Sequence, residues 1–177
     1  MNRIMQILSV MALVALLLGS RAPATAAGAS VNINAPAKVV FDSNFTATVD
    51  IASVVNFDAG QFDISFDSSV LRLDSVSAGL IGTTVIPIGL SNEISPGTYR
   101  IVVNVPGVPG ISGSGHLAVL HFSPIGSTGS SSTIHVSDGF LNDNLAQQIT
   151  VKWSGDSVAV HNEMDDPSPS RFLTPKA

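Results

Sequence analysis

Apolar and polar residues alternate in short segments along most of this chain. From residue 45 to residue 51, apolar side chains occupy the odd positions, and Thr46, Thr48 and Asp50 occupy the even ones. Successive side chains of a strand point to opposite faces of a sheet, so this period of two predicts a strand with one buried face. The pattern predicts strands over residues 45–51, 61–67, 99–105, 117–122, 132–136, 149–153 and 158–160.

The segment 61–67 makes a specific prediction about the core. Phe62, Ile64 and Phe66 share one face of the predicted strand and alternate with polar residues. Because a period of two assigns each side chain to a face, we expect these three to be buried and Asp63 and Ser65 to be exposed.

Turn signals separate the predicted strands. Glycine, which supplies positive φ, and proline, which presets φ, cluster at residues 95–97 and 106–110, while glycine and serine cluster at 126–129 and 154–156. Beyond the N-terminal segment, no window shows the apolar spacing of an amphipathic helix. The sequence therefore predicts an all-β chain of about nine strands, folded as an antiparallel two-sheet sandwich with jelly-roll topology; an up-and-down barrel is the alternative.

The two ends of the chain differ from its middle. Residues 1–27 contain Arg3, an apolar run of about a dozen residues that is too short to span a bilayer, and a small-residue A-x-A pattern. They predict a signal peptide, and hence a secreted protein without a membrane anchor after cleavage. The domain is predicted over residues 28–160, and the proline-rich residues 161–177 are predicted to be a disordered tail.

Composition and charge narrow the range of partners. The chain carries 8 basic and 13 acidic side chains, and cleavage of the signal peptide would remove Arg3 and Arg21 but no acid. Because a negative surface repels phosphate backbones, we do not expect nucleic acid as a partner. The chain contains no cysteine, which excludes disulfides and thiol chemistry.

Residues that could carry catalysis form no recognisable pattern. The segment 113–115 lacks the G-x-S-x-G spacing of a hydrolase elbow, and we interpret it as a flexible turn. His116 and His121 lie five residues apart in one predicted strand, so we expect them on opposite faces, where they cannot chelate one metal. Asp63 and Asp67 would lie roughly 13 Å apart, too far for a local glycosidase pair, although a pair assembled across strands stays open. We predict no catalytic residues and no cofactor.

Two further features of the sequence each allow two interpretations. Acidic and amide side chains between residues 138 and 144 could offer oxygens to Ca²⁺, but they lack the spacing of an EF-hand loop, and no metal site is predicted. Trp153, the only tryptophan, follows Ile149 and Val151 with strand periodicity. This position is consistent with two roles for Trp153, packing in the core and forming a platform for sugar binding.

Taken in order, three segments resemble a bacterial cohesin module, a β-sandwich that docks enzyme-borne dockerins, and the resemblance covers about residues 31–160. Residues 59–71 read AGQFDISFDSSVL, similar to the family's strand ending in aromatic-Asp-Pro-x-x-Leu, with Ser68 in place of the proline. Asp67 is expected to cap the turn there. Residues 111–122 read ISGSGHLAVLHF, and residues 140–148 look like the family's late acidic-amide segment.

The resemblance implies a site for a protein partner on one sheet face. Alternation independently predicts that six of the matching positions face solvent, namely Ala59, Gln61, Asp63, Arg100, Val102 and Asn104. Gln61 and Gln147 stand where cellulosomal cohesins often carry carboxylates, and an ordinary wet sheet face is the alternative. The candidate partner-binding residues are Ala59, Gln61, Asp63, Arg100, Val102, Asn104, Asp143, Leu145 and Gln147.

The resemblance implies a secreted, non-catalytic docking module with a dockerin-like partner, in extracellular polysaccharide-degrading or cell-surface assemblies. The alternative is a carbohydrate-binding module of the same jelly-roll class, which would bind polysaccharide directly. An enzyme is the third interpretation.

Overall fold

The computed structural model describes residues 28–105, 107 and 109–162, so the predicted signal peptide and residues 163–177 of the predicted tail lie outside the described residues. The described part of the chain forms strands and no helix. The strands are β1 (Ala29–Asn34), β2 (Lys38–Val40), β3 (Phe45–Ser65), β4 (Leu71–Ile81), β5 (Thr84–Ile86), β6 (Ile88–Ser95), β7 (Thr98–Asn104), β8 (Ile111–Pro124), β9 (Ser131–Asp143), β10 (Gln148–Ile149), β11 (Val151–Ser154) and β12 (Asp156–His161).

The all-β sandwich is confirmed, but the described chain has more strands than the nine expected. The strands β2, β5 and β10 have two or three residues each, too few for a period of two to stand out. The strand β12 ends at His161, one residue beyond the predicted domain boundary. Most strand pairs are antiparallel, whereas β1 pairs with β11 and β2 with β12 in parallel.

The long strand β3 takes part in both layers of the sandwich. Its first half pairs with β1 and β8, and its second half pairs with β7 and β9. Between the halves the register shifts twice, and Ser53 and Asn56 adopt φ of 57° and 62°. Such irregularities bend a strand and increase its twist, so one continuous strand passes from one layer to the other.

The core lies between the inward faces of the two layers. Phe57, Phe62 and Phe122 are fully buried there. The Phe122 ring stacks on Phe45 at 5.4 Å between ring centroids and meets Phe66 edge-on at 5.1 Å. Offset and edge-on ring pairs of this kind add to the free energy gained by burial alone.

The core positions predicted for the segment 61–67 are mostly correct. Phe62 and Ile64 are fully buried, whereas Phe66 is only partly buried against the core. Ser65 is half-buried rather than exposed. The prediction that Asp63 is exposed is wrong, because this residue is 3% exposed.

The turn after β3 is held by Asp67, as expected. One carboxylate oxygen of Asp67 accepts hydrogen bonds from the backbone N–H of Ser69 at 2.8 Å and from its hydroxyl at 2.6 Å. The Asp67 carbonyl also accepts from the N–H groups of Val70 and Leu71. The bond from the Ser69 hydroxyl, followed by that from its N–H, lowers the pKa of Asp67. The turn is therefore more stable when this carboxyl is ionised.

Because the pKa of Asp67 is lowered on folding, its stabilising effect should be present above the ordinary value of 3.8 and lost as pH falls through the folded pKa. Asp67→Asn keeps an acceptor but cannot ionise. We expect this variant to be less stable than the wild type at neutral pH, with the difference shrinking towards about pH 2.5. Urea titrations at both pH values measure the difference in stability between the variant and the wild type. The same difference at neutral and at low pH would contradict the prediction. In a Ser69→Ala background, the pH-dependent part should be smaller.

Candidate functional site

Four residues from four neighbouring strands form one row across the outward side of the second half of β3. Strand register pairs Leu90 of β6 with Val102 of β7, Val102 with Gln61 of β3, and Gln61 with Phe140 of β9. Directly paired residues of antiparallel strands lie on the same side of a sheet. Leu90 is 50% exposed and Phe140 is 41% exposed, and Val102 lies partly exposed between them. We call these four residues the apolar row.

Polar residues border the apolar row on one side. The register places Asn104 of β7 opposite Ala59 of β3, and Ala59 opposite Asn142 of β9. Asn104 is exposed, while Ala59 and Asn142 are half-buried. This border offers amide groups and no charge.

An ion pair borders the apolar row on its other side. Arg100 of β7 is paired with Asp63 of β3 and with Asn92 of β6. The Arg100 guanidinium donates two hydrogen bonds to the Asp63 carboxylate, from Nε at 2.9 Å and from Nη2 at 2.8 Å. This hydrogen bonding, and then the charge of Asp63, raises the pKa of Arg100 above its ordinary value.

The burial of Asp63 corrects the sequence prediction without moving the residue to the other face. Asp63 does point away from the core, since its neighbours Phe62 and Ile64 point inward. It is nevertheless covered, because β3 lies between β7 and β9 and the Arg100 side chain is bonded to its carboxylate. Alternation predicts the side of a sheet on which a residue lies, but not what covers that side.

The three candidates from the acidic-amide segment are placed differently from the other six. Asp143 ends β9, and one of its carboxylate oxygens accepts the backbone N–H groups of Leu145 and Gln147, at 2.9 and 2.8 Å. This carboxylate holds the turn between β9 and β10. Leu145 is 70% exposed at that turn. The turn therefore lies at the end of the face and outside its rows.

The structure also adds residues that the sequence prediction missed. Leu90, Phe140, Asn92 and Asn142 all face outward in these rows. Phe140 and Asn142 belong to a segment already singled out, but only cross-strand register shows that they lie beside Gln61 and Ala59. Nearly all of β6 is exposed, so it gives no period of two that would have predicted it.

Two expectations about β8 need correction. The segment 113–115 lies inside this strand rather than in a turn, and the Ser114 hydroxyl accepts the backbone N–H of Ser53 at 3.2 Å. Leu117 is an extra residue in β8 between His116 and Ala118, so His116 pairs with Asp50 while His121 pairs with Thr46. The bulge therefore places both histidines on the same outward face, contrary to the prediction.

Within the described ranges, the structure brings together no group of three or more His, Cys, Asp or Glu side chains that could hold a metal ion. The Asn144 amide, one of the oxygen donors considered for calcium, bonds to Asn56 and to the carbonyl of Pro109. Among residues 28–105, 107 and 109–162, no helix is long and apolar enough to cross a membrane.

Comparison with known families assigns the fold. The family model for the cohesin domain matches residues 29–160, which is most of the chain. This chain belongs to the cohesin domain family. No curated protein sequence matches it significantly.

Solved cohesin structures share its fold at low sequence identity. A non-cellulosomal cohesin from the archaeon Archaeoglobus fulgidus is 16% identical with a TM-score of 0.63, over 76% of this chain and 91% of that one. A cohesin module from a Clostridium perfringens family 33 glycoside hydrolase is 15% identical with a TM-score of 0.67, over 77% and 98%. The sixth cohesin of Acetivibrio cellulolyticus scaffoldin B, solved with a Cel5 dockerin mutant, is 19% identical with a TM-score of 0.61, over 77% and 99%.

Proposed function

We propose that this cohesin domain is a non-catalytic docking module that binds a dockerin-type partner through the face built around the apolar row. The row itself carries the proposal, because three of its four side chains are apolar and at least partly exposed, and the row lies between two polar borders. Protein interfaces typically combine a small apolar centre with a polar rim. The similar A. cellulolyticus cohesin, solved with a dockerin bound, supports the class of partner.

The ion pair beside the row suits such an interface. Covering a lone charge with a partner would remove its hydration without a replacement, which is unfavourable. Asp63 already receives two hydrogen bonds from Arg100 within the domain. A partner can therefore cover this border without providing a counter-charge for Asp63.

Export of the module is part of the proposal. Its support is the sequence of residues 1–27, with Arg3 before an apolar run and small residues at the expected cleavage site. We propose a secreted protein that acts in extracellular polysaccharide-degrading or cell-surface assemblies. N-terminal sequencing of the exported protein is expected to begin near Gly28, and Met1 recovered from a membrane fraction would contradict the proposal.

Charges placed in the apolar row should abolish most of the binding. We expect Val102→Asp and Leu90→Asp each to weaken the affinity for a dockerin by at least about 30-fold, because the partner would bury an unpaired carboxylate. The measurement is titration calorimetry against dockerin modules cloned from the producing organism. Leu145→Asp should have a smaller effect, because Leu145 lies in the turn at the end of the face.

Val85→Asp provides the matched control, because Val85 is an exposed valine of β5, which pairs with β4 and with none of the strands of the row. It should bind like the wild type, and thermal melts should show that all four variants fold. Wild-type affinity in both Val102→Asp and Leu90→Asp would exclude this face as the docking site.

The alternative is a carbohydrate-binding module, a class that typically stacks sugars on exposed aromatic side chains, and the described residues offer no such tryptophan or tyrosine platform. Tyr99 and Trp153 are both partly buried against the core. An exposed row that crosses four strands favours a protein partner over a sugar as the main ligand.

A further inference from the structure

Gln61 interrupts the apolar row near the centre of the face built around it, which we call the docking face. The register pairs Gln61 directly with Val102 on one side and with Phe140 on the other. Paired residues have their Cβ atoms about 4.5–5.5 Å apart, so the Gln61 side chain stands between an aliphatic and an aromatic neighbour. Along β3, its neighbours on the same side are Ala59 and Asp63. A partner that covers the row must therefore also cover this amide.

The Gln61 amide has no hydrogen-bonding partner within the described part of the domain. It takes part in none of the side-chain hydrogen bonds there, and no polar side-chain atom of a residue as covered as Gln61 is both enclosed and unpaired. Gln61 is half-buried, so its amide is hydrated in the free domain. The adjacent side chains do not replace this water, because Ala59 carries only a methyl group and the Asp63 carboxylate is bonded to Arg100. On docking, the amide therefore depends on a group of the partner.

The charges next to Gln61 are mixed and favour neither sign in a partner. Arg100 is hydrogen-bonded to Asp63 in the neighbouring row. Asp138 is exposed in the part of β9 where the register with β3 shifts. Hydrogen bonding to Asp63 and its charge raise the pKa of Arg100, and the charge of Asp138 adds a smaller effect in the same direction. A cation of the partner would approach Arg100, and an anion would approach the two carboxylates, so an uncharged group fits best.

We propose that Gln61 determines which partners the docking face accepts, by requiring a hydroxyl or amide side chain opposite it within an otherwise apolar contact. A glutamine amide both donates and accepts hydrogen bonds, and so does a hydroxyl or a second amide. An ammonium or guanidinium group only donates, a carboxylate only accepts, and an aliphatic side chain does neither. This inference rests on the proposed function and adds to it the chemistry of the partner's central residue.

A double-mutant cycle between the domain and a dockerin tests the proposal. The probe is the dockerin module of the producing organism that binds the wild-type domain most tightly in titration calorimetry. Its exposed serine, threonine, asparagine, glutamine and charged residues are changed to alanine one at a time. We expect at least one hydroxyl or amide variant of the dockerin to bind the wild-type domain about tenfold more weakly, because the covered Gln61 amide loses its partner.

Gln61→Leu should bind the unchanged dockerin about tenfold more weakly, because the dockerin's polar group is then the one left unpaired. Combined with the dockerin variant that lacks this group, Gln61→Leu should recover an affinity within about threefold of the wild-type pair. Gln61→Met, which keeps the length of the side chain, should behave like Gln61→Leu. Thermal melts check that these variants fold.

Asn104→Leu is the matched control, because Asn104 is an amide of the same face that lies exposed at its border, where water still reaches it. It should show no coupling to any dockerin variant. The proposal is overturned if Gln61→Leu binds the unchanged dockerin as tightly as the wild type does, or if only charged dockerin residues couple to Gln61. Docking itself would still stand in both cases, provided that Val102→Asp weakens binding, whereas a wild-type domain that binds no dockerin would overturn both.

Discussion

Phe122→Ala is expected to lower the free energy of unfolding by about 3–5 kcal/mol. The Phe122 side chain is fully buried, and its ring contacts Phe45 and Phe66 on two sides. Truncation would remove both aromatic contacts and leave a cavity that the surrounding sheets can fill only in part. Phe66, which sequence alone suggests for this experiment, is only partly buried, so we expect its truncation to have a smaller effect.

Phe140→Ala is the matched control for this experiment, because Phe140 is a phenylalanine of the same sandwich that is 41% exposed. Its truncation should change stability by less than about 1 kcal/mol, since much of the ring is already in water. Urea titrations of both variants measure the difference. Equal losses for Phe122→Ala and Phe140→Ala would show that the assignment of inward and outward faces is wrong.

Arg100→Ala is expected to lower the free energy of unfolding clearly more than Arg72→Ala does, because it breaks the ion pair of a buried carboxylate. The variant leaves the Asp63 carboxylate, which is 3% exposed, without its two hydrogen bonds from the guanidinium. The loss should be smaller than for a fully buried ion pair, because the Arg100 side chain is 39% exposed and its removal admits water. The double variant Asp63→Ala/Arg100→Ala should lose less than the sum of the single variants, because no unpaired charge remains.

Arg72→Ala is the matched control, because Arg72 also bonds to a carboxylate, that of Asp74, at 2.7 Å. The Arg72 side chain is 62% exposed, so its ion pair is well solvated, and its loss should change stability by less than about 1 kcal/mol. Urea titrations at neutral pH measure both arginine variants. A loss for Arg100→Ala no greater than that for Arg72→Ala would mean that Asp63 is solvated in solution.

Much of the fold could be predicted from local sequence, because a period of two is a property of each strand by itself. Phe62 and Ile64 are buried where the alternation expects them, and Asp67 closes its turn through Ser69, two residues away. The order of the three cohesin-like segments was enough to predict the family, which the match over residues 29–160 confirms. The strand faces and the turn each depend on residues close together in the chain, and the family depends only on the order of segments along it.

Features that depend on contacts between distant residues were not predicted. The burial of Asp63 requires Arg100, 37 residues later, to lie beside it on a neighbouring strand. The common face of His116 and His121 depends on a bulge that is defined only by pairing with β3. In both cases the alternation is present. A covering side chain decides that Asp63 is buried, and a shift in strand register decides that the two histidines share a face.

The candidate site also combines features that local sequence predicts with features that only the tertiary structure shows. The sequence by itself determined that Gln61 and Val102 point away from the core, since each alternates with buried neighbours. Only the tertiary structure decided that Leu90 and Phe140 extend them into one apolar row, and that Asp143 holds the turn between β9 and β10. The physical reason is that alternation assigns a residue to a side of its own strand, whereas a surface is made by the lateral register of several strands, which is set by packing and hydrogen bonds between residues far apart in the chain.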